Sequence, residues 1–247
     1  MNREEFIETV INCCELFDKN NFPIIVLNEY NDGGYVSLSQ FFLGVISPLM
    51  SINLYKGRMR ITNTFKDTEE IRNYIESNLT SIENCLHTNY ERLTTDKVNV
   101  KYDTNIEIDL TQMFFLTNIS IHNEIENIRK KMNNKRKPTD ILVFTDGYSF
   151  SAASLFMQYL QKNGGGIIAS YLGNPLFKDN TTKFFDISQS PSPLFSENLL
   201  LKVFSPENYA NLKSDEWSIE FPGIQSFYDS NDSSNPLEYE VIRPDIN

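Results

Sequence analysis

Apolar and polar positions alternate along the chain in a way that predicts most of its elements. Phe6, Val10, Ile11, Cys14 and Phe17 fall at helical spacing within residues 3 to 17, which predicts an amphipathic helix ended by Asn20-Asn21. Residues 23 to 27 read PIIVL, a short run rich in β-branched side chains that predicts a strand buried on both faces, as in a parallel sheet. A polar, glycine-containing turn from Asn28 to Gly34 follows, and then Val36 to Leu49 reads as a second helix with Leu38, Phe41, Phe42, Val45 and Ile46 on one side and Pro48 marking its end.

The middle of the chain carries fewer signals. Asp67 to Leu79 has helical spacing, with Asp67 as N-cap candidate and Glu70 three residues on. His122 to Met132 predicts a further helix. The basic cluster that follows, Arg129 to Lys137, reads as a solvated helix end and loop rather than a nucleic-acid patch.

A second strand–turn–helix unit then appears. Ile141 to Phe144 is a short apolar strand, Thr145 to Tyr148 a turn, and Ser149 to Gln161 a helix stopped by the glycines after Asn163. Ile167 to Ala169 begins another strand. Strand, turn, helix and strand at this spacing is the βαβ pattern of a parallel α/β sheet. The tail from 188 to 235 is rich in Ser, Pro and Asn, with short strand-like pieces.

Composition narrows the function classes. The 247 residues carry 22 basic and 33 acidic side chains, a net charge of −11, and so acidic a surface argues against nucleic acid as the main partner. Hydrophobic residues at 40% fill a real core and rule out wholesale disorder. No apolar run approaches the roughly 18 residues that cross a bilayer, and the charged N-terminus has no apolar signal core. A cytoplasmic location is therefore the default expectation. Cys13, Cys14 and Cys85 are too few and too unevenly placed for a disulfide framework, and read as thiols in a reducing compartment. No ligand cluster or phosphate loop is visible, so no metal or organic cofactor is expected.

The two turns are the candidate chemistry. In parallel α/β sheets, ligands bind beyond the carboxyl ends of the strands, and both turns open there. Asn31-Asp32-Gly33-Gly34 offers backbone N–H groups uncrowded by side chains, which suits an oxyanion hole. Gly147 to Ser154 puts hydroxyls at a helix start, where the positive end of the dipole favours an anionic intermediate. The ordinary alternatives are a tight turn and a set of helix caps. His87 and His122 could each serve a serine as base, and each also reads as a surface residue in polar context.

These residues carry a family resemblance. Val143-Phe-Thr-Asp-Gly-Tyr-Ser-Phe-Ser-Ala-Ala-Ser154, with the following helix and Gly164-Gly-Gly-Ile-Ile-Ala169, resembles the catalytic segment of the C-terminal processing peptidases and their tricorn-core relatives. Those are serine peptidases of the Clp-protease/crotonase-like fold. The stretch Phe22 to Val36 is similar to the family's strand that ends in an Asn-any-Gly-Gly turn. Arg243-Pro-Asp-Ile246 resembles its late Pro-Asp-Ile element. The resemblance covers residues 3 to 50 and 138 to 178.

The resemblance implies an α/β, crotonase-like fold of repeated strand–turn–helix units. A single peptidase core would span 1–247, with a helical insertion at 51–137 and a C-terminal extension at 188–247. It implies Ser151 as nucleophile, an oxyanion hole of Gly33, Gly34 and Ala152, and a peptide or protein substrate. The family's base is often a Lys in a Phe-Gly-Lys-Gly turn. Here Tyr171-Leu-Gly-Asn-Pro-Leu-Phe-Lys178 stands there, so Lys178 is the base candidate and Lys183 a second, while Lys178 beside Asp179 also reads as a plain surface lysine. The family's Asp-Leu-Arg before the glycine turn is replaced by Leu27-Asn28-Glu29-Tyr30, and no PDZ-like tether is seen, as in a bare catalytic core or a fragment. Self-association is left open. Two rivals stand beside the peptidase: a catalytically inactive peptide-binding or scaffold relative, and a crotonase-type acyl-transfer or hydratase enzyme that would not need Ser149 and Ser151.

Overall fold

In chain order the first elements are helix α1 (Arg3–Asp18), strand β1 (Ile24–Asn28), helix α2 (Val36–Ile46) and strands β2 (Lys56–Met59), β3 (Asp96–Lys101), β4 (Asn105–Leu110) and β5 (Phe114–Phe115). Helix α3 (Ile119–Lys131), strand β6 (Ile141–Thr145), helix α4 (Ser151–Lys162) and strands β7 (Ile167–Ser170), β8 (Leu194–Phe195), β9 (Phe221–Pro222) and β10 (Ile224–Phe227) complete the set. The computed structural model describes residues 3–59, 96–101, 105–110, 114–117, 119–171, 194–195, 221–222, 224–227 and 245–246. The chain divides into one unit of residues 1–55, 117–191 and 237–247, and a second of 56–116 and 192–236.

The first unit is α/β. Its sheet runs β1-β6-β7, all parallel, with Ile24 opposite Ile141, Asn28 opposite Thr145 and Thr145 opposite Ser170. Parallel strands need crossovers, and α2–α3 and α4 supply them. Asp245 and Ile246 add to the free edge of β7: Ser170 N–H donates to Ile246 O at 2.9 Å, and the Asp245 carboxylate accepts from Ile168 N–H at 2.8 Å. Asp245 and Ile246 thus extend the sheet beyond β7.

One expectation changes at β1. Ile24 and Asn28 are buried, but Ile25 is 62% and Leu27 68% exposed. Ile24 and Asn28 lie on the face packed into the first unit, and among the described residues nothing covers the face that carries Ile25 and Leu27, so the strand buries one face instead of two.

Helices α1, α2 and α3 share an apolar cluster of Val10, Cys14, Phe41, Val45, Ile121 and Ile125. Each large member of such a cluster contributes about 1.5–3 kcal/mol by leaving water. Cys13 is exposed, whereas Cys14 is buried. Burial, helped by neighbouring Cys13, pushes the Cys14 thiol up to about 11, which keeps it protonated and inert. Helix α2 stops at Ile46, two residues before the Pro48 that marks its end in the sequence: proline disfavours helical geometry at Ser47, and Arg129 of α3 takes up the carbonyls left there. Its guanidinium donates to Gly44 O, Ser47 O and Met50 O, each at 2.8 Å.

Arg136 plays a similar part below α1. It donates to the carbonyls of Phe17, Asn20, Phe22 and Asn134, so two members of the basic cluster (Arg129 and Arg136) are buried clamps rather than solvated charges.

Among its described residues the second unit is built of strands. Its described residues form three antiparallel sheets: β10-β2-β5, β3-β4 and β8-β9. The reason is visible in β3 and β4. In the sequence Val98 and Val100 alternate with polar residues, as do Ile106, Ile108 and Leu110, and a period of two with β-branched residues favours strands, which pair antiparallel from Asp96 opposite Leu110 to Lys101 opposite Asn105. The pairing of β2 with β10 joins the insertion to the C-terminal extension in one unit. The expected helix at Asp67–Leu79, with Cys85 and His87, lies outside the described residues.

Candidate functional site

The site is assembled at the carboxyl ends of β1 and β6, where two turns lock together. Asn31 and Ser149 form a parallel bridge: Asn31 N–H donates to Tyr148 O at 3.0 Å, and Phe150 N–H donates to Asn31 O at 2.9 Å. The Asp146 carboxylate joins the turns again, accepting from Tyr30 N–H at 3.0 Å and Tyr148 N–H at 2.8 Å. The Tyr30 and Tyr148 rings stack above it, centroids 4.6 Å apart. Asp32 beside the Tyr148 phenol raises its pKa, since a nearby negative charge disfavours phenolate.

This bridge explains why α4 begins two residues later than Ser149. Ser149 is held against Asn31, and Phe150 is extended at φ −123°, ψ 157°. The chain must then swing sharply into the helix, and the residue that absorbs the swing is Ser151, at φ +50°. A side chain in the left-handed region costs on the order of 1–3 kcal/mol, and such strain persists only where the surroundings enforce it. A strained strand-to-helix turn is also the device that lifts a serine hydroxyl clear of its own helix.

The glycine turn packs directly on that corner. Gly33 has φ +102°, and a Cβ built there would lie 2.7 Å from Phe150 O, 2.8 Å from Ser151 Cβ and 3.1 Å from Ala152 N. No residue with a side chain fits. Gly34, at φ +142°, faces open space. The structure therefore brings together Gly33, Ser151 and Ala152 from segments over a hundred residues apart, with Gly34 next in line.

The donors differ in availability. Among the described residues neither Gly34 N–H nor Ala152 N–H has an acceptor, and Ala153 N–H and Ser154 N–H both turn back to Phe150 O. Gly33 N–H donates to Asn31 Oδ1 at 3.0 Å. Gly33 contributes its shape against Ser151, while the N–H groups of Gly34 and Ala152 have no acceptor among the described residues.

A buried polar chain that sequence reasoning missed holds these parts. Asn31 Nδ2 donates to Asn28 Oδ1 at 2.8 Å, and Asn28 Nδ2 donates to Ser149 Oγ. Asn28 is 4% and Ser149 0% exposed. The available signal was an amide at the end of an apolar strand, three residues before a second amide. From the other side, Ser39 of α2 donates to Ala152 O at 2.7 Å; that uses its only proton, so Tyr55 OH donates to Ser39 Oγ at 3.2 Å. Burial raises the pKa of the Tyr55 phenol far above its usual value, so it remains a donor.

Ser151 itself is 9% exposed, and its hydroxyl has no hydrogen-bond partner among the described residues. His122 is half-buried on α3, and no hydrogen bond joins it to Ser151 among them. The base candidates Lys178 and Lys183 lie outside the described residues. Also among the described residues, no three His, Cys, Asp or Glu side chains gather into a metal-binding group, and no helix is long and apolar enough to cross a membrane.

No family model and no curated protein matches the chain. Among solved structures, the crystal structure of mature CPAF aligns with a TM-score of 0.46 and 16% identity, over 97% of this chain and 41% of that one. The chain thus spans less than half the length of that structure, and a likeness this distant decides nothing about activity.

Proposed function

We propose that the chain is a serine-type peptidase core of the Clp-protease/crotonase-like type, with Ser151 as nucleophile. The observation that carries the reading is the corner at Ser151. A strained serine sits at a helix start against a glycine that admits no side chain, and among the described residues its hydroxyl and the N–H groups of Gly34 and Ala152 have no partner. A tight turn needs no strained serine, and a helix cap would spend its hydroxyl on the helix.

In this reading Ser151 Oγ bonds to a peptide carbonyl carbon while its proton passes to a base. The carbonyl oxygen takes up the negative charge and receives hydrogen bonds from Gly34 and Ala152 N–H, with Gly33 as a third donor once Asn31 Oδ1 releases it. Such preorganised donors are each worth about 10²–10³ in kcat. Collapse of the intermediate breaks the C–N bond, and the base returns the proton to the departing amine. Lys178 is the base in this proposal, and burial must depress its pKa toward neutrality for it to act.

A second reading keeps the peptide site without turnover, and the departure of Tyr171-Leu-Gly-Asn-Pro-Leu-Phe-Lys178 from the family's Phe-Gly-Lys-Gly turn favours it. Incubating casein with the full chain and with Ser151→Ala separates the two. Cleavage lost in the variant supports the peptidase; no cleavage by either supports the binding module.

A further inference from the structure

Beside the Gly33–Gly34 turn lies a cavity of about 500 Å³ within the first unit. Its walls come from α1 (Phe6, Val10), β1 (Val26, Leu27), α2 (Leu38, Phe42) and α4 (Ala153, Phe156). Gly33, Gly34 and Ala152 line it as well, and the amides of Asn28 and Asn31, the Ser39 hydroxyl and the Tyr35 phenol are its polar groups. Among the described residues none that lines it is charged.

We infer that this cavity is the specificity pocket of the site, and that it selects substrates with a large apolar side chain on the residue that supplies the scissile carbonyl. The inference rests on the peptidase reading for the position of that carbonyl. The occupant follows from three observations. The cavity is continuous with the residues that carry the open donors, so a carbonyl oxygen placed between Gly34 and Ala152 N–H sets its own side chain at the cavity mouth. The walls are aliphatic and aromatic and offer nothing to pair a charge, so an ionised side chain would lose its hydration without compensation. The volume is ample, since apolar cavities of about 150 Å³ already hold a benzene ring, and small-ligand pockets run about 300–1,000 Å³.

Two α2 and α4 positions set the pocket's depth. Leu38 and Ala153 face the cavity from different helices, and neither is assigned a part in the chemistry. Leu38→Trp fills the space from one wall, and Ala153→Leu fills it from the other, so that the pair guards against a single misfolded variant.

The test has two arms. Full-length protein is treated with peptidyl phosphonate probes that differ only in a benzyl or a methyl side chain, and the rate of Ser151 labelling is read by mass spectrometry. Burial of the ring predicts about tenfold or more faster labelling by the benzyl probe. Leu38→Trp or Ala153→Leu brings the ratio close to one and leaves the methyl probe within about twofold. In the second arm, Ser151→Ala is titrated with matched peptide amides carrying Phe or Gly, and the Phe peptide binds about tenfold or more tightly. Equal binding of the two peptides overturns the pocket, whatever the probes do. Failure of both probes to label, with the Phe peptide still preferred, overturns the peptidase reading and leaves the pocket as a binding site.

Discussion

Gly33→Ala is the perturbation that most sharply tests the packing of the two turns, with Gly34→Ala as its control. Both positions have positive φ, so an alanine at either carries backbone strain of about 1–2 kcal/mol. They differ in space. The Gly34 methyl meets nothing within 4 Å, whereas the Gly33 methyl would fall 2.7 Å from Phe150 O and 2.8 Å from Ser151 Cβ. Overpacking of that kind costs about 1–3 kcal/mol more, and the obstacles are backbone and a helix corner that cannot rotate away. In a chain of this size each kcal/mol moves Tm by about 2–4 °C. Calorimetry therefore finds Gly33→Ala melting at least about 3 °C below Gly34→Ala. Relief of the clash moves the turn off Ala152, so acylation of Ser151 falls by about 10²–10³. Equal melting temperatures for the two variants would refute the close approach of Gly33 to Ser151.

Three further outcomes are expected. Asn28→Ala orphans the buried Ser149 hydroxyl and frees the Asn31 amide, costing about 1–3 kcal/mol in urea unfolding, and it slows any Ser151 acylation because the bridged turns loosen. Arg129→Met leaves the carbonyls of Gly44, Ser47 and Met50 without their donors and lowers stability by about 3 kcal/mol by the same measurement, while Arg129→Lys recovers only part, since an ammonium cannot span all three. At Asp18, burial opposes the charge. The hydrogen bonds accepted from Asn133 and Asn134, with Arg136 nearby, outweigh it and hold the pKa below the usual carboxylate value. Its contribution is therefore present above the ordinary value of about 3.9 and fades as pH falls further, so Asp18→Asn flattens the acid limb of the stability curve. An unchanged limb would contradict the assignment.

The sequence made the first unit readable because its strands are short β-branched runs and its helices have clear apolar stripes. PIIVL and Ile141–Phe144 became β1 and β6, and the turns after them became the site. What it hid were effects of distant partners. Nothing near Ser149 says that Asn31 will hold it extended and delay α4 to Ser151. Nothing near Pro48 says that Arg129 will collect the last carbonyls of α2. Arg129 and Arg136 looked solvated because a basic run usually is, and only the fold shows carbonyls waiting for two of them. Strands β3 and β4 went unread for a different reason: Val, Ile and Leu alternate there with Asp, Glu, Lys and Asn over runs of only six residues, too short a signal until the two are paired. The candidate site was legible in its residue types and order. Its geometry was not, since φ at Ser151 and the occupied N–H of Gly33 follow from tertiary contacts.

The central claim is that Ser151 is a nucleophile, and covalent labelling tests it most directly. The full chain is exposed to a serine-directed fluorophosphonate, digested and mapped by mass spectrometry beside Ser151→Ala. The account predicts one adduct, on the peptide that carries Ser151, absent from the variant and from denatured protein. No adduct, or one that persists in Ser151→Ala, would contradict it.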